Sequence, residues 1–384
     1  MERKPLQIDI QSEIGQLNAV LLHTPGAEVE NMTPKMAQRA LYSDILNLSI
    51  AQEEYKQLSG VLSKIANVYT VTDLLVKVLE NPVEREELVK KICVTENVME
   101  YYETLMEMSS VRLAKALIEG LPARINTLTS FLNEDYYALF PLYNFYFTRD
   151  AAVTIGNHAL ICKMANKVRM RESLIMQAIY KGSGEFACGI IDAYDHSPLN
   201  PNLFMEGGDI LIAREDVLLI GNGIRTSSQG IDFLASRLSA IAPQGRRHII
   251  VQQLPHTPES FIHLDMVFTM LDRNKCMVFE PLILGDNQYQ TIHIIIDNGK
   301  IVKISSVANM LTALKGLGMD LEPVVCGGKA DEWDQEREQW HSGANFFAFA
   351  PGKVISYARN THTLDELANH GFEIIPAWDV IEGR

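Results

Sequence analysis

One pattern recurs along this chain and limits its architecture more than any other feature. It is a polar residue, a β-type apolar run, a tight turn and a second apolar run. Asp150 begins one copy, which ends at Cys162; Asp209 begins another, ending at Gly221; Asn345 begins a third, ending at Tyr357. Asp265 leads a looser copy with a longer turn. The turns fall at Gly156-Asn157, Glu215-Asp216 and Pro351-Gly352, pairs suited to hairpins. Helical stretches, such as residues 230–238, lie between copies. A hairpin with one helix buries little by itself, whereas several set about an axis bury a common core. An α/β fold follows, with Asp150, Asp209, Asp265 and Asn345 at the hairpin ends facing that axis. The alternative is that these polar residues only terminate strands.

Ahead of the repeat, Asn18 to His23 reads as a buried strand ended by Pro25-Gly26. Thr33 and Pro34 suit the cap and first position of a helix through Met36 and Ala40, and Val68 to Val71 is a short strand. From Thr72 to Tyr137 the pattern turns helical. Thr72 or Asp73 can cap the first helix, and Pro82 with Glu84, Glu86 and Glu87 opens another. Leu88, Ile92, Met99, Leu105, Leu113, Leu117 and Ile118 recur at helical spacing until Gly120-Leu121-Pro122 breaks the run. Residues 72–137 therefore read as a helical module inserted into a strand-rich chain.

Several carboxylates on one axis repel one another unless a cation lies among them. A guanidinium is the natural guest, because its planar fork of N–H donors matches carboxylates bidentately. Asp150 and Asp265 lead as candidates, with Glu206 in Glu206-Gly207-Gly208-Asp209 a third; that tetrad also suits a solvated turn. Phe261 to Phe268 reads as a strand, which places His263 and Asp265 side by side on one face. An imidazole beside a carboxylate is an acid/base pair in outline, or a strand-edge hydrogen bond. The net charge of −14 disfavours nucleic-acid phosphates and tolerates a cationic substrate. No run of signal-peptide or membrane-spanning type occurs in the sequence. The five cysteines, Cys93, Cys162, Cys188, Cys276 and Cys326, are scattered without metal-type spacing. They read as reduced thiols of a cytoplasmic protein, with no metal site and no membrane association expected.

Taken together, Ser12 to Gly15, Leu21 to Gly26, Phe147-Thr148-Arg149-Asp150, Met205 to Asp209, His263-Leu264-Asp265 and Gly343 to Phe346 resemble arginine deiminases. These belong to the guanidine-modifying pentein superfamily. The resemblance runs in family order over nearly all of residues 1–384, helical insertion included. It implies a five-bladed α/β propeller, the pentein fold, with an inserted helical bundle. The substrate it implies is L-arginine, converted to citrulline and ammonia without metal or organic cofactor, in a protein expected to form a homo-oligomer. Asp150 and Asp265 would hold the guanidinium, and His263 would be the acid/base with Glu206 beside it. Asn144 and Phe147 would line the pocket, and Leu41 would offer a backbone carbonyl. Arg169 and Arg225 match the arginines that hold the substrate carboxylate, with Arg171 an alternative to Arg169. Surface placement is the plainer fate of an isolated arginine.

The family nucleophile is a cysteine on a C-terminal loop rich in glycine and arginine. The sequence given runs to Gly383-Arg384, about where that loop opens, and none of its cysteines stands at the matching place. Cys326, before Gly327-Gly328, is the nearest and is expected to be structural. Either the protein continues past Arg384 or it lacks the nucleophile; the Gly-Arg ending favours the first. Other readings are a silent arginine-binding pentein and a pentein enzyme acting on another guanidine.

Overall fold

The structure, a computed structural model, describes residues 4–37, 41–42, 45–132, 136–195 and 200–384. The chain divides into two compact units, Met1–Gln7 with Asn18–Ala152 and Asn166–Ile190, and Ile8–Leu17 with Val153–Ala165 and Ile191–Arg384.

In the first unit, strand Ala19–Leu22 pairs in parallel with Asn67–Thr70, and helix Leu48–Ile65 connects them. The expected helix at Pro34 is present as Pro34–Ala37; its extension to Ala40 lies outside the described residues. Helix Val71–Glu80 is capped by Thr70, not by Thr72 or Asp73. The Thr70 hydroxyl accepts the Asp73 N–H at 3.2 Å and donates to its carboxylate at 2.6 Å. Asn81 caps Pro82–Glu96, with Pro82 at the N-terminal turn. Leu88, Ile92, Leu105, Leu113, Leu117 and Ile118 of the helical stripe are buried and form core, whereas Met99, in a 3-10 turn at Met99–Tyr101, is 47% exposed. Helix Met170–Gly182 packs against Val71–Glu80 and Pro82–Glu96.

The second unit contains the repeat, apart from residues 150–152 that head its first copy. Ile210–Arg214 pairs antiparallel with Val217–Asn222, Phe268–Asp272 with Lys275–Val278, and Phe347–Ala350 with Lys353–Ile355. The Pro351-Gly352 turn needs its glycine, whose φ is +70°. The first copy is likewise two neighbouring strands, Ala152–Ile155 and His158–Ile161, joined at Gly156-Asn157. Gly189–Asp192 neighbours His158–Ile161 as a third strand, and a third strand completes two further copies. Val217–Asn222 runs parallel to Arg246–Gln253 after helix Ser228–Ile241, and Lys275–Val278 parallel to Glu322–Val325 after helix Met310–Gly316. Parallel pairing demands such a crossover, and the helix supplies it. One hairpin was not anticipated: Thr291–Asp297 with Lys300–Val307, which widens a sheet to five strands. Its signal is Asn298-Gly299 between β-branched runs, and both turn residues have positive φ.

Leu211, Leu219, Ile250, Val267, Phe268, Val278, Leu314 and Val325 share one buried cluster, so the hairpins and crossover helices of this unit have a common core. One expectation fails. Phe261 to Phe268 is not a strand: short 3-10 turns occupy Glu259–Phe261 and Leu264–Met266, and the strand begins only at Phe268. His263 itself is extended, at φ −131° and ψ 155°, and starts the second turn. Alternation along a strand therefore does not relate His263 to Asp265. No helix among the described residues is long and apolar enough to cross a membrane.

Candidate functional site

In the second unit the site is built around Glu206, which has no exposure to solvent. It stands just ahead of the turn Gly207–Asp209 that leads into strand Ile210–Arg214. Its Oε2 accepts from His263 Nε2 at 3.0 Å, and its Oε1 accepts the Ala165 N–H at 3.2 Å. The Arg225 guanidinium lies 3.5 Å from the same Oε1, and the Glu206 N–H donates to the Thr226 hydroxyl at 3.2 Å. A dry carboxylate survives only when donors replace water, and these groups do so. His263 is 5% exposed, so the pair is held away from bulk solvent with the imidazole in one orientation. Three of the expected residues, Glu206, Arg225 and His263, are thus brought together from segments far apart in the chain.

Asp209 is as deeply buried as Glu206, and its Oδ1 accepts the Leu264 N–H at 2.9 Å. Burial pushes its carboxyl up to about 7, and the Glu206 charge adds to that. His263, the Thr226 hydroxyl and the Leu264 amide pull the other way. Asp265 is half-buried, and its carbonyl accepts the Asn345 side-chain amide at 3.0 Å.

In the first unit, Asp150 lies in the helical turn Thr148–Ala151 and is 8% exposed. Arg169 Nη1 donates to Asp150 Oδ2 at 2.7 Å, while its Nε and Nη2 reach Glu172 at 3.1 and 2.8 Å. Arg169 Nη2 also donates to the Asn144 carbonyl at 3.4 Å. Asn144, Asp150 and Arg169 therefore form one buried group. Arg171 is elsewhere: its Nε lies 3.2 Å from Glu96, its Nη2 donates to the Phe140 carbonyl, and burial lowers its pKa. Phe147 is 45% exposed, with its ring tilted against that of Tyr146 at a centroid distance of 4.3 Å. Leu41 has φ +64°, a left-handed backbone rare for a branched aliphatic residue. Two members of these groups escaped the sequence reading. Glu172 carried a signal, three residues after Arg169 on a helical turn; Thr226 carried none.

All five cysteines are free thiols. Cys326 has no exposure, its sulfur lies 3.7 Å from the Thr363 hydroxyl oxygen, and burial pushes its thiol up to about 12. It is a packing residue, as expected. Burial also pushes Cys93 up to about 11 and Cys276 higher still.

Comparison with known proteins places this geometry in a family. Residues 38–378 match the family model for arginine deiminase. An arginine deiminase of Bacillus thuringiensis subsp. konkukian is 34% identical, covering 96% of this chain and 93% of the relative. One from Staphylococcus aureus is 31% identical over 98% of this chain and 95% of its own. Among solved structures, the DDAH of Pseudomonas aeruginosa, complexed with citrulline, aligns over 94% of this chain and 91% of its own. Its TM-score is 0.50 at 12% identity, a likeness that shows a shared α/β fold. The chain belongs to the arginine deiminase family.

Proposed function

We propose that this protein hydrolyses L-arginine to L-citrulline and ammonia. The observation that carries this reading is the buried Glu206–His263 pair with Arg225 beside it, in a chain of the arginine deiminase family. Asp150 and Asp265 take the guanidinium N–H donors, and Arg169 and Arg225 take the substrate carboxylate. Asn144, Phe147 and the Leu41 carbonyl complete the pocket. A thiolate attacks the guanidinium carbon and forms a C–S bond. His263 gives a proton to the departing nitrogen as the C–N bond breaks, and ammonia leaves. His263 then takes a proton from water, which attacks the same carbon; the C–S bond breaks and citrulline is released. Glu206 holds the imidazole and balances the imidazolium that forms at each transfer.

The five-bladed propeller belongs to the same proposal, supported by the recurring hairpin, crossover helix and third strand. So do a cytoplasmic location and a homo-oligomer. None of the five cysteines is assigned the thiolate role, and the burial of four of them, Cys93, Cys162, Cys276 and Cys326, favours a second reading, arginine binding without turnover. The test is a citrulline assay on protein expressed from the full reading frame, together with calorimetry of arginine binding. Citrulline and ammonia in equal amounts support the deiminase. Arginine binding without product leaves the silent binder.

A further inference from the structure

The segment that carries His263 and Asp265 has no regular secondary structure beyond two single turns, yet its direction decides where both side chains stand. A loop of this kind keeps its geometry only if its backbone groups are satisfied by fixed partners. Two of those partners come from the heads of other hairpins. The Asp209 carboxylate, ahead of Ile210–Arg214, accepts the Leu264 N–H at 2.9 Å. The Asn345 side-chain amide, ahead of Phe347–Ala350, donates to the Asp265 carbonyl at 3.0 Å. One grips the amide that follows His263, the other the carbonyl of Asp265 itself. The two groups have opposite hydrogen-bonding sense, so they fit the backbone in only one register.

Both partners are themselves fixed. Asp209 has no exposure, and strand Val217–Asn222 passes so close that a Cβ on Gly221 would lie 2.1 Å from its Oδ1. The Asn345 N–H is bonded to the Ser342 carbonyl at 3.1 Å, in the turn that ends helix Glu332–Trp340. Gln339 of that helix donates to the carbonyls of Ser260 and Met266, which bracket the same segment.

We infer that Asp209 and Asn345 form a clamp that sets the placement of His263 and Asp265 for catalysis. This rests on the deiminase reading of the same segment. Asp209 and Asn345 are positioning residues, and neither is assigned a contact with substrate. The polar heads of the repeat thus do more than terminate strands: two of them hold a third.

Three variants test the clamp in protein from the full reading frame: Asp209→Asn, Asp209→Leu and Asn345→Asp. Asn at 209 still accepts the Leu264 N–H but removes the charge; Leu removes the acceptor; Asp at 345 opposes one oxygen with another. Asp209→Leu and Asn345→Asp should lower kcat/KM for arginine about tenfold or more, because small displacements of reacting groups cost that much. Asp209→Asn, which keeps the acceptor for the Leu264 N–H, should retain most of the activity. A purely structural role would lower melting midpoints without separating the activities of Asp209→Asn and Asp209→Leu. Unchanged kcat/KM in folded Asn345→Asp, or a loss of about tenfold in folded Asp209→Asn, overturns the inference. If Asp209→Leu does not fold, those two variants decide it. A wild-type protein that makes no citrulline contradicts the underlying function instead, which is a separate outcome.

Discussion

Glu206 and His263 stand 57 residues apart and meet at 3.0 Å inside the second unit, and no local pattern announces such a contact. Replacing His263 with Ala should abolish turnover while calorimetry still detects arginine, because its role is proton transfer; normal turnover would remove His263 from the mechanism. Asp209 makes a second residue-level prediction. Its folded value, about 7, lies above the ordinary aspartate value of 3.8, so between these pH values the folded state binds more protons than the unfolded state. Stability from this group therefore falls as pH rises from 3.8 towards 7 and stays at its lower level above that. The Asp209→Asn protein lacks this loss. Its urea midpoint relative to wild type should improve between about pH 5 and about pH 8, by up to a few kcal/mol in ΔG; a constant difference would contradict the raised carboxyl. At this scale the sequence showed which residue types mattered. Motif spacing singled out Glu206, Asp209 and His263, but the strand assigned to residues 261–268 was an error of local geometry. Apolar residues there are bulky enough for a strand, yet Leu264 and Val267 are buried by tertiary packing of a turn.

Elements were easier to read. Hairpin turns declare themselves through Gly-Asn, Glu-Asp and Pro-Gly pairs, and helices Pro82–Glu96 and Ser110–Glu119 through spacing and breakers. What stayed hidden was the crossover strand of each unit, because parallel partners such as Val217 and His248 carry no shared local signal. Long-range caps are equally silent. Glu338, 5% exposed, accepts the N–H groups of His362 and Thr363 at 2.8 and 2.7 Å and the Thr363 hydroxyl at 2.6 Å. It caps helix Thr361–Asn369 from another helix, and an anion suits that helix end. Glu338→Ala should destabilise the protein by about 2 kcal/mol, since it removes charged acceptors from buried donors. A melting midpoint equal to wild type would show that the cap is dispensable. Gly221→Ala should also destabilise, because a Cβ there would lie 2.1 Å from Asp209 and 2.8 Å from Leu254. An unshifted urea midpoint would mean that the strand relaxes freely.

For the molecule as a whole, thiol chemistry decides between the deiminase and the silent binder. Cys93, Cys162, Cys276 and Cys326 have no exposure, and burial raises three of these thiols, so none should be alkylated in native protein near neutral pH. Mass mapping after iodoacetamide checks this, and rapid labelling of Cys326 would return it to the list of nucleophiles. Substrate choice follows from the arginines: agmatine lacks the carboxylate that Arg169 and Arg225 are assigned, so its kcat/KM should be lower than that of arginine. Equal values would detach both residues from that role. The most direct measurement is a carbon-13 spectrum of guanidino-labelled L-arginine incubated with protein from the full reading frame. The expected result is conversion of the guanidinium signal to the ureido signal of citrulline, with one ammonium released for each. Arginine left unconverted under conditions where it binds would contradict the deiminase assignment.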